Sequence, residues 1–449
     1  MTVMLSGRGC DRMLLLLAVG IVLMPAATSA QERARPPAPA AGMLAGAPVV
    51  DGQAIVPITL ESALDAADRA NIDVITARLA VRTARANLRS ADTAPNPVLS
   101  LNAVQLRPGT VGTLPVQQLS DNVVRVDLPL ERGGKRRARV GAAQAGIDAA
   151  EGDLGDARRQ MRVAVSNAYF TLKAAEQRLS ALTAIASAYD QAIGIARKQQ
   201  RAGALSEGDL VRQQVEGLRA RTDASQAITD RQDAQLALAS LIGQEANAAA
   251  LATTGDWPTS YASSPLAASA LAARRPDVLA ANARVQAARR NLDGAHALRH
   301  PDITVGAQFE SAPRELGVGD SVGFGVSIPL PLRNRYNGEV DAAGVALIQA
   351  EAQARRALAV ATAEIETARR VAAEAAARRQ LVEGTQLPAA RRAADIANFA
   401  YGRGAMTLLE VLDARRSLQA VELSAIDART AEAQAIARLR SVETTGNNE

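Results

Sequence analysis

The sequence predicts an α+β membrane protein: a long antiparallel α-helical coiled-coil barrel with a four-strand contribution to a shared transmembrane β-barrel, the plan duplicated within one chain. Three observations predict it. Ser321 to Leu330 alternates strictly, with Val322, Phe324, Val326, Ile328 and Leu330 on one face and Ser321, Gly323, Gly325 and Ser327 on the other, the pattern of a strand with one apolar and one wet side. About ten residues fit a tilted transmembrane strand. Second, Met161, Val165, Ala168, Leu172, Ala175, Leu179, Leu182, Ala186, Tyr189, Ile193 and Ala196 recur at steps of four and three, a coiled-coil seam. A helix from near Arg137 to Ala202 would be roughly 100 Å long at about 1.5 Å per residue. Third, the programme of the first half returns in the second.

In chain order, Arg8 and Arg12 precede an apolar run from Met13 to Met24 and the small residues Ala27-Thr28-Ser29-Ala30, so residues 1–30 are expected to be a secretory signal peptide cut after Ala30. The apolar run is too short to span a membrane as a helix. The single cysteine, Cys10, lies upstream of that run. The processed chain is therefore expected to carry no disulfide, no thiol chemistry and no lipid anchor. Residues 31–57, rich in Pro, Ala and Gly, read as a flexible leader.

A helix is expected from Thr59 to about Ala94, ended by Pro95 and Pro97. Two strands follow, Val98 to Arg107 and Val123 to Leu130. In the second, Val124, Val126, Leu128 and Leu130 alternate with Arg125 and Asp127, whose charges belong in a lumen because a charge facing mid-bilayer lipid is costly. Gly133-Gly134-Lys135-Arg136-Arg137 lacks the phosphate-loop pattern and reads as a turn and helix start near the membrane surface. The long helix turns at Arg201-Ala202-Gly203, where Gly203 suits a left-handed cap. Ser206 and Asp209 then stand three apart, as in a capping box with Asp for Glu. The return helix runs to about Leu241, and residues 244–264 read as a linker.

The second half repeats this order. Asp73-Val74 to Asn87-Leu88 matches Asp277-Val278 to Asn291-Leu292, and Pro95 answers to Pro301. A strand with Ile303, Val305, Ala307 and Phe309 on one face precedes the Ser321 strand, joined by a polar loop from Ser311 to Asp320. Gly404 answers to Gly203, and Thr407 with Glu410 answers to Ser206 with Asp209. The repeats span 58–243 and 265–443, followed by a tail at 444–449. Pro388 has no counterpart and is expected to kink or break its descending helix.

Each chain supplies only four strands, whereas a closed barrel needs about eight, because open edges cannot face lipid. Several chains must therefore pool their strands against outer-membrane lipid. Nucleic acid is not an expected partner: the net charge is +5 but basic residues are interspersed with acids, aromatics are 2% of the chain, and no zinc-finger or RNP-type motif is present.

From about Thr59 to Val442 the sequence resembles the TolC-type outer-membrane efflux factor family. The resemblance rests on the duplicated plan and on the two turns, Arg201-Ala202-Gly203-Ala204-Leu205 with Asp209, and Tyr401-Gly402-Arg403-Gly404 followed by Leu409-Glu410-Val411-Leu412-Asp413-Ala414. It implies a homotrimer with a twelve-stranded barrel, a helical periplasmic tunnel, and docking of the turns around Gly203, Ser206, Gly404 and Thr407 to a periplasmic adaptor fed by an inner-membrane pump of the resistance-nodulation-division type. The stretch from Arg391-Arg392-Ala393-Ala394-Asp395 to Asp413-Ala414-Arg415-Arg416 looks most like the cobalt, zinc and cadmium efflux branch. The resemblance also implies that Asp209 and Tyr401 help hold the periplasmic aperture shut through a hydrogen bond between neighbouring helix pairs, and that Glu410 and Asp413 face its pore. Rings of such carboxylates favour cations and raise one another's pKa. Met406 stands where the family carries a basic partner.

Plainer roles exist for each. Asp209 can cap its helix, Tyr401 can pack against a turn, and Glu410 can close a capping box, which leaves Asp413 the better filter candidate. His296 and His300, spaced i, i+4, read as polar lining near a helix-to-strand junction; no metal site or cofactor is expected. No Ser/His/Asp or Cys/His arrangement supports nucleophilic catalysis, so an enzyme is not expected. The reading is a passive exit duct for efflux, with substrates that include divalent heavy-metal cations. Its alternatives are a type I protein-secretion channel and a periplasmic coiled-coil adaptor.

Overall fold

Four of the helices begin at side chains, those of Thr59, Asn71, Ser206 and Thr407, that replace missing backbone partners. The computed structural model describes residues 49–50, 53–54, 56–104, 121–258, 260–311 and 320–444; the expected signal peptide, most of the leader and the tail beyond 444 lie outside it. Two short strands, β1 (Val49–Val50) and β2 (Gln53–Ala54), pair with each other. Helix α1 (Leu60–Ala70) opens on Thr59, whose hydroxyl accepts from the Ser62 amide while Ser62 returns the bond. The expected single helix from Thr59 to Ala94 is two. Asn71 ends α1 and caps α2 (Ile72–Asp92), its Oδ1 accepting from the amides of Asp73 at 3.0 Å and Val74 at 3.3 Å. A buried Asn can satisfy the orphan donors of a new helix there, which breaks the helical run that the apolar period alone suggests.

Helix α3 (Lys135–Arg201, 67 residues) is the longest element, and the expected seam along it is buried or half-buried throughout. It returns through α4 (Glu207–Ile242). In the second half α5 (Ala268–Ala272) and α6 (Pro276–Ala297) precede the sheet, and α7 (Asn337–Leu381) leads away from it. A π-helical turn, Val382–Gln386, joins α7 to α8 (Leu387–Gly402), and α9 (Leu408–Glu443) returns. Nearer the sheet, α3 lies between α2 and α6, with α7 on α6; nearer the turns it lies between α4 and α9, with α8 on α9. Small residues set the spacing. A Cβ on Gly152 would stand 2.8 Å from the Ala280 methyl and the Pro276 carbonyl, so α3 and α6 approach as closely as a bare backbone allows.

Pro388 does not break the helix. It sits just after the π turn, where the Leu387 amide donates to the Val382 carbonyl, five residues back. The wider turn gives the Pro ring room and reassigns the carbonyls its missing N–H would strand.

The leader and linker differ from expectation. Val56–Ile58 forms β3 and pairs in parallel with β6 (Leu251–Thr253), which follows a 3-10 turn at Glu245–Ala250. Ile58 and Leu251 enter a core with Val165, Tyr169 and Leu172 of α3 and Leu238 and Ile242 of α4. Trp257 stacks on Phe170 at 5.7 Å and receives Lys173 over its ring. Farther along, Glu443 accepts from Ser263 Oγ at 2.7 Å and the Ser264 amide at 2.9 Å. Contacts distant in sequence, invisible to composition, hold these segments.

The sheet is antiparallel in the order β4 (Val98–Val104), β5 (Asp121–Leu130), β7 (Ile303–Ser311), β8 (Ser321–Ser327). Strand β8 is shorter than the expected Ser321–Leu330, since Pro329 has no amide to donate to a ladder. The stretch 105–107 expected at the end of β4 lies outside the described residues, as does most of the Ser311 to Asp320 loop. Register aligns the apolar faces. Val124 lies opposite Leu101 and Phe309, Val126 opposite Leu99 and Ala307, and Val326, Phe324 and Val322 opposite Val305, Ala307 and Phe309. This face is exposed, with Phe324 at 84% and Leu101 at 71%. Its reverse carries Gly306, Gly323, Gly325, Gln308 and the ion pair between Arg125 and Asp127 at 2.8 Å.

Leu172 is fully buried where α3, α4 and the β3–β6 pair meet. Leu172→Ala is expected to cost about 2 to 5 kcal/mol, seen as a lowered midpoint in chemical denaturation.

Candidate functional site

The turns at the far ends of the two hairpins are built alike, residue for residue. In the first, Gly203 takes φ +77°, its amide donates to the Gln200 carbonyl at 3.0 Å, and the Ala204 amide donates to Gln199 at 2.9 Å. In the second, Gly404 takes φ +71°, its amide donates to Tyr401 at 2.9 Å, and that of Ala405 donates to Ala400 at 2.9 Å. This paired bonding ends a helix by turning its last carbonyls inward, and the left-handed residue at its centre is nearly always glycine. Three residues on, Ser206 and Thr407 start the return helices.

The two caps then diverge. Thr407 Oγ1 accepts from the Glu410 amide at 3.4 Å and the Glu410 carboxylate accepts from the Thr407 amide at 2.7 Å, a complete capping box. Ser206 Oγ accepts from the Asp209 amide at 3.1 Å, but the Asp209 carboxylate accepts from the Ser206 hydroxyl at 2.8 Å instead of its amide. The expected box is therefore half-formed at Asp209, whose side chain is one methylene shorter than Glu. The bonds from the Thr407 amide and hydroxyl hold Glu410 below the usual carboxylate range.

Asp413 lies one turn beyond Glu410 on α9. It is exposed, makes no hydrogen bond or ion pair among the described residues, and supports the charge of Arg416 through space. Tyr401 is half-buried against Ala186, Tyr189, Ala220, Leu408 and Leu412. The structure does not join Asp209 to Tyr401 within one chain; the second carboxylate oxygen of Asp209 meets Arg212 at 3.5 Å. Met406 and Leu205, at matching places in the turns, are both half-buried. His296 lies in the last turn of α6, and His300 packs against Gly133. Among the described residues no group of three or more His, Cys, Asp and Glu is arranged to hold a metal.

One pair escaped the sequence reading. Glu216 of α4, 9% exposed, receives a two-pronged bond from Arg416 of α9, with Nη2 to Oε1 at 2.6 Å and Nε to Oε2 at 3.0 Å, and Arg219 adds a contact at 3.1 Å. The Arg416 bond, against the cost of burial, keeps the Glu216 carboxyl below its ordinary range. A signal existed: Gln213, Glu216, Gly217 and Ala220 form the buried stripe of α4, and a carboxylate in such a stripe needs a cation from elsewhere.

An open sheet with an exposed apolar face, carried on long helical hairpins that end in paired capped turns, is the architecture of the outer-membrane efflux class. The chain belongs to the outer membrane efflux protein family, whose profile matches residues 63–244 and 267–443. Among individual proteins, the cobalt-zinc-cadmium resistance protein CzcC of Cupriavidus metallidurans is 27% identical over 393 residues, covering 83% of this chain and 86% of that one. The fold matches a membrane protein from Pseudomonas aeruginosa with a TM-score of 0.75 at 23% identity, covering 86% of this chain and 92% of that one. It matches the outer membrane protein VceC of Vibrio cholerae with a TM-score of 0.73 at 22% identity, covering 86% of this chain and 97% of that one.

An L residue at φ near +70° is strained, and nothing stands within 4 Å of a Cβ at Gly203 or Gly404. Gly203→Ala and Gly404→Ala are each expected to lose about 1 kcal/mol, measured as a shifted unfolding midpoint with helix content unchanged.

Proposed function

We propose that this chain is the protomer of a passive exit duct in a tripartite efflux system. The observation that carries the reading is the four-stranded sheet with an exposed apolar face and two edges, β4 and β8, that pair with nothing among the described residues. Unpaired strand edges cannot stand in lipid. Three copies, with β8 of each beside β4 of the next, would close twelve strands and remove every edge. The apolar row from Leu99 to Phe324 would then meet outer-membrane lipid, with Arg125 and Asp127 in the lumen.

Below the membrane, three sets of hairpins would form the periplasmic tunnel, with Gly203, Ser206, Gly404 and Thr407 at the end that docks the adaptor. The adaptor links the duct to an inner-membrane pump of the resistance-nodulation-division type, which supplies the energy. Duplication of an ancestral half accounts for the like positions of buried Val74 and Val278, and of Val81 and Val285. Export begins with the N-terminal segment ending at Ala30.

Asp413 and Glu410, repeated threefold at the aperture, would form carboxylate rings that favour cations. Together with the similarity to CzcC, a protein named for cobalt, zinc and cadmium resistance, these rings support divalent heavy-metal cations as cargo. Tyr401 and Asp209 would bridge neighbouring hairpins to keep the aperture closed at rest. No hydrogen bond from the Tyr401 hydroxyl is made among the described residues of one chain, which leaves that hydroxyl for such a bridge.

In planar bilayers, Asp413→Ala is expected to weaken cation preference and block by divalent ions, and Tyr401→Phe to raise resting conductance. Unchanged selectivity in the first and unchanged conductance in the second would remove the filter and the bridge, respectively. In cells, Phe324→Arg is expected to deplete the protein from the outer-membrane fraction, since an Arg in lipid costs about 2 to 4 kcal/mol near the midplane; normal insertion would place that face elsewhere.

A further inference from the structure

We propose that Glu216 and Arg416 form a strap that holds the two helical hairpins of one protomer together above the aperture, and that its release is a step in opening. The proposal rests on the aperture reading and assigns it a positioning pair that neither the turns nor the carboxylate rings contain.

The strap sits at a matching depth in the two return helices. Glu216 on α4 and Arg416 on α9 lie a similar distance from their caps at Ser206 and Thr407, about 14 Å along each helix at ~1.5 Å per residue. Helices α4 and α9 both pack on α3. The pair bridges the groove between them over Tyr189, which lines it with Ala220 and Leu423. Gly217 makes the crossing shallow. A Cβ there would come within 2.6 Å of Ile193 Cδ1, so α4 lies directly against α3 beside the strap.

Other polar links near the turns have a different reach. Arg221 to Asp190 at 2.7 Å joins the helices of the first hairpin, and Arg415 to Asn398 at 2.6 Å joins those of the second. Between hairpins, Arg178 with Asp427 and Gln434 with Thr171 lie farther from the turns. Among the described residues, the Glu216–Arg416 pair is thus the ionic link between hairpins nearest the turns. The apolar cluster of Tyr401, Leu408 and Leu412 with Ala186, Tyr189 and Ala220 crosses the same gap.

The two partners are unequally exposed. The Glu216 side chain is 10% exposed and that of Arg416 44% exposed. Arg416 can move into solvent at little cost, whereas Glu216 left behind keeps only Arg219. A buried carboxylate that loses its main cation destabilises the packing around it. Parting the hairpins therefore costs free energy at rest, and a docking partner must offset that cost to open the duct.

The test uses the purified full-length protein in planar bilayers, with resting conductance as the readout. Glu216→Gln is expected to raise it at least about fivefold, the lower end of ordinary coupling between sites. Arg416→Lys, which keeps the charge but loses the two-pronged geometry, is expected to give a smaller rise. The double exchange Glu216→Arg with Arg416→Glu is expected to return conductance toward the unmodified level. If Glu216→Gln does not assemble, Arg416→Lys and the exchange carry the decision. Resting conductance unchanged in both single variants, or an exchange as leaky as Glu216→Gln, overturns the strap. Tyr401→Phe in the same bilayers separates the readings: a rise there with none in the strap variants removes the strap alone, and no rise in any removes the aperture reading with it.

Discussion

Backbone groups at the edge of a sheet cannot go without partners in hydrocarbon, and the rest of this chain can be understood from that restriction. Four strands in the order β4, β5, β7, β8 satisfy their interior ladders and leave β4 and β8 each with an unpaired side. The alternation that puts Val124, Val126 and Phe324 on one face puts Arg125, Asp127 and three glycines on the other. Such a sheet has an apolar side, a polar side and two open edges. The described residues hold no more strands of that length, so in the proposed barrel those edges would be completed by strands from outside the chain.

The same logic extends to the helices. Instead of surrounding a core, α3 lies between neighbours on either side, and buried alanines such as Ala145, Ala149, Ala186, Ala196, Ala220, Ala227 and Ala234 mark its contacts and those of α4. Small residues bury little area each, about 25 cal/mol per Å², so long contact lines stand in for a thick core. Larger side chains gather where the layer needs fastening. Around Tyr169, Phe170, Leu172 and Trp257, the β3–β6 pair and the 3-10 turn tie the ends of α1 and α4 to the middle of α3. At the other long helices, Arg369, Ser263 and Ser264 converge on Glu443, which is nearly inaccessible.

What could be read from the sequence was what is local. The turns were legible because Gly203 and Gly404 each precede a hydroxyl residue and then an acid at fixed spacing, and the strands because Ser321 to Ser327 and Val123 to Leu130 alternate. Asn71 was missed because its neighbours keep the apolar period of one helix while its own side chain ends it. The linker was missed because Leu251–Thr253 pairs with Val56–Ile58, almost two hundred residues away. Glu216 and Arg416 lie as far apart in sequence, and nothing in their immediate surroundings names the partner. Asp413 and Tyr401 were found through likeness to a family, and a single chain cannot display what they meet.

The π turn at Val382–Gln386 changes how the second descending helix presents itself. Along α7 and α8 the inward-facing positions run Ile365, Ala368, Ala372, then Val382, Leu387, Ala390, Ala394 and Ala397, and between Val382 and Leu387 the stride is five instead of three or four. Both ends of that stride still meet Ala425 and Ala428 of α9. An unbroken α-helix would have rotated Leu387 about 100° away from α9 at that point. The helix thus stores one surplus residue as slack, and it resets its phase so that the stripe stays on α9 on both sides of the turn.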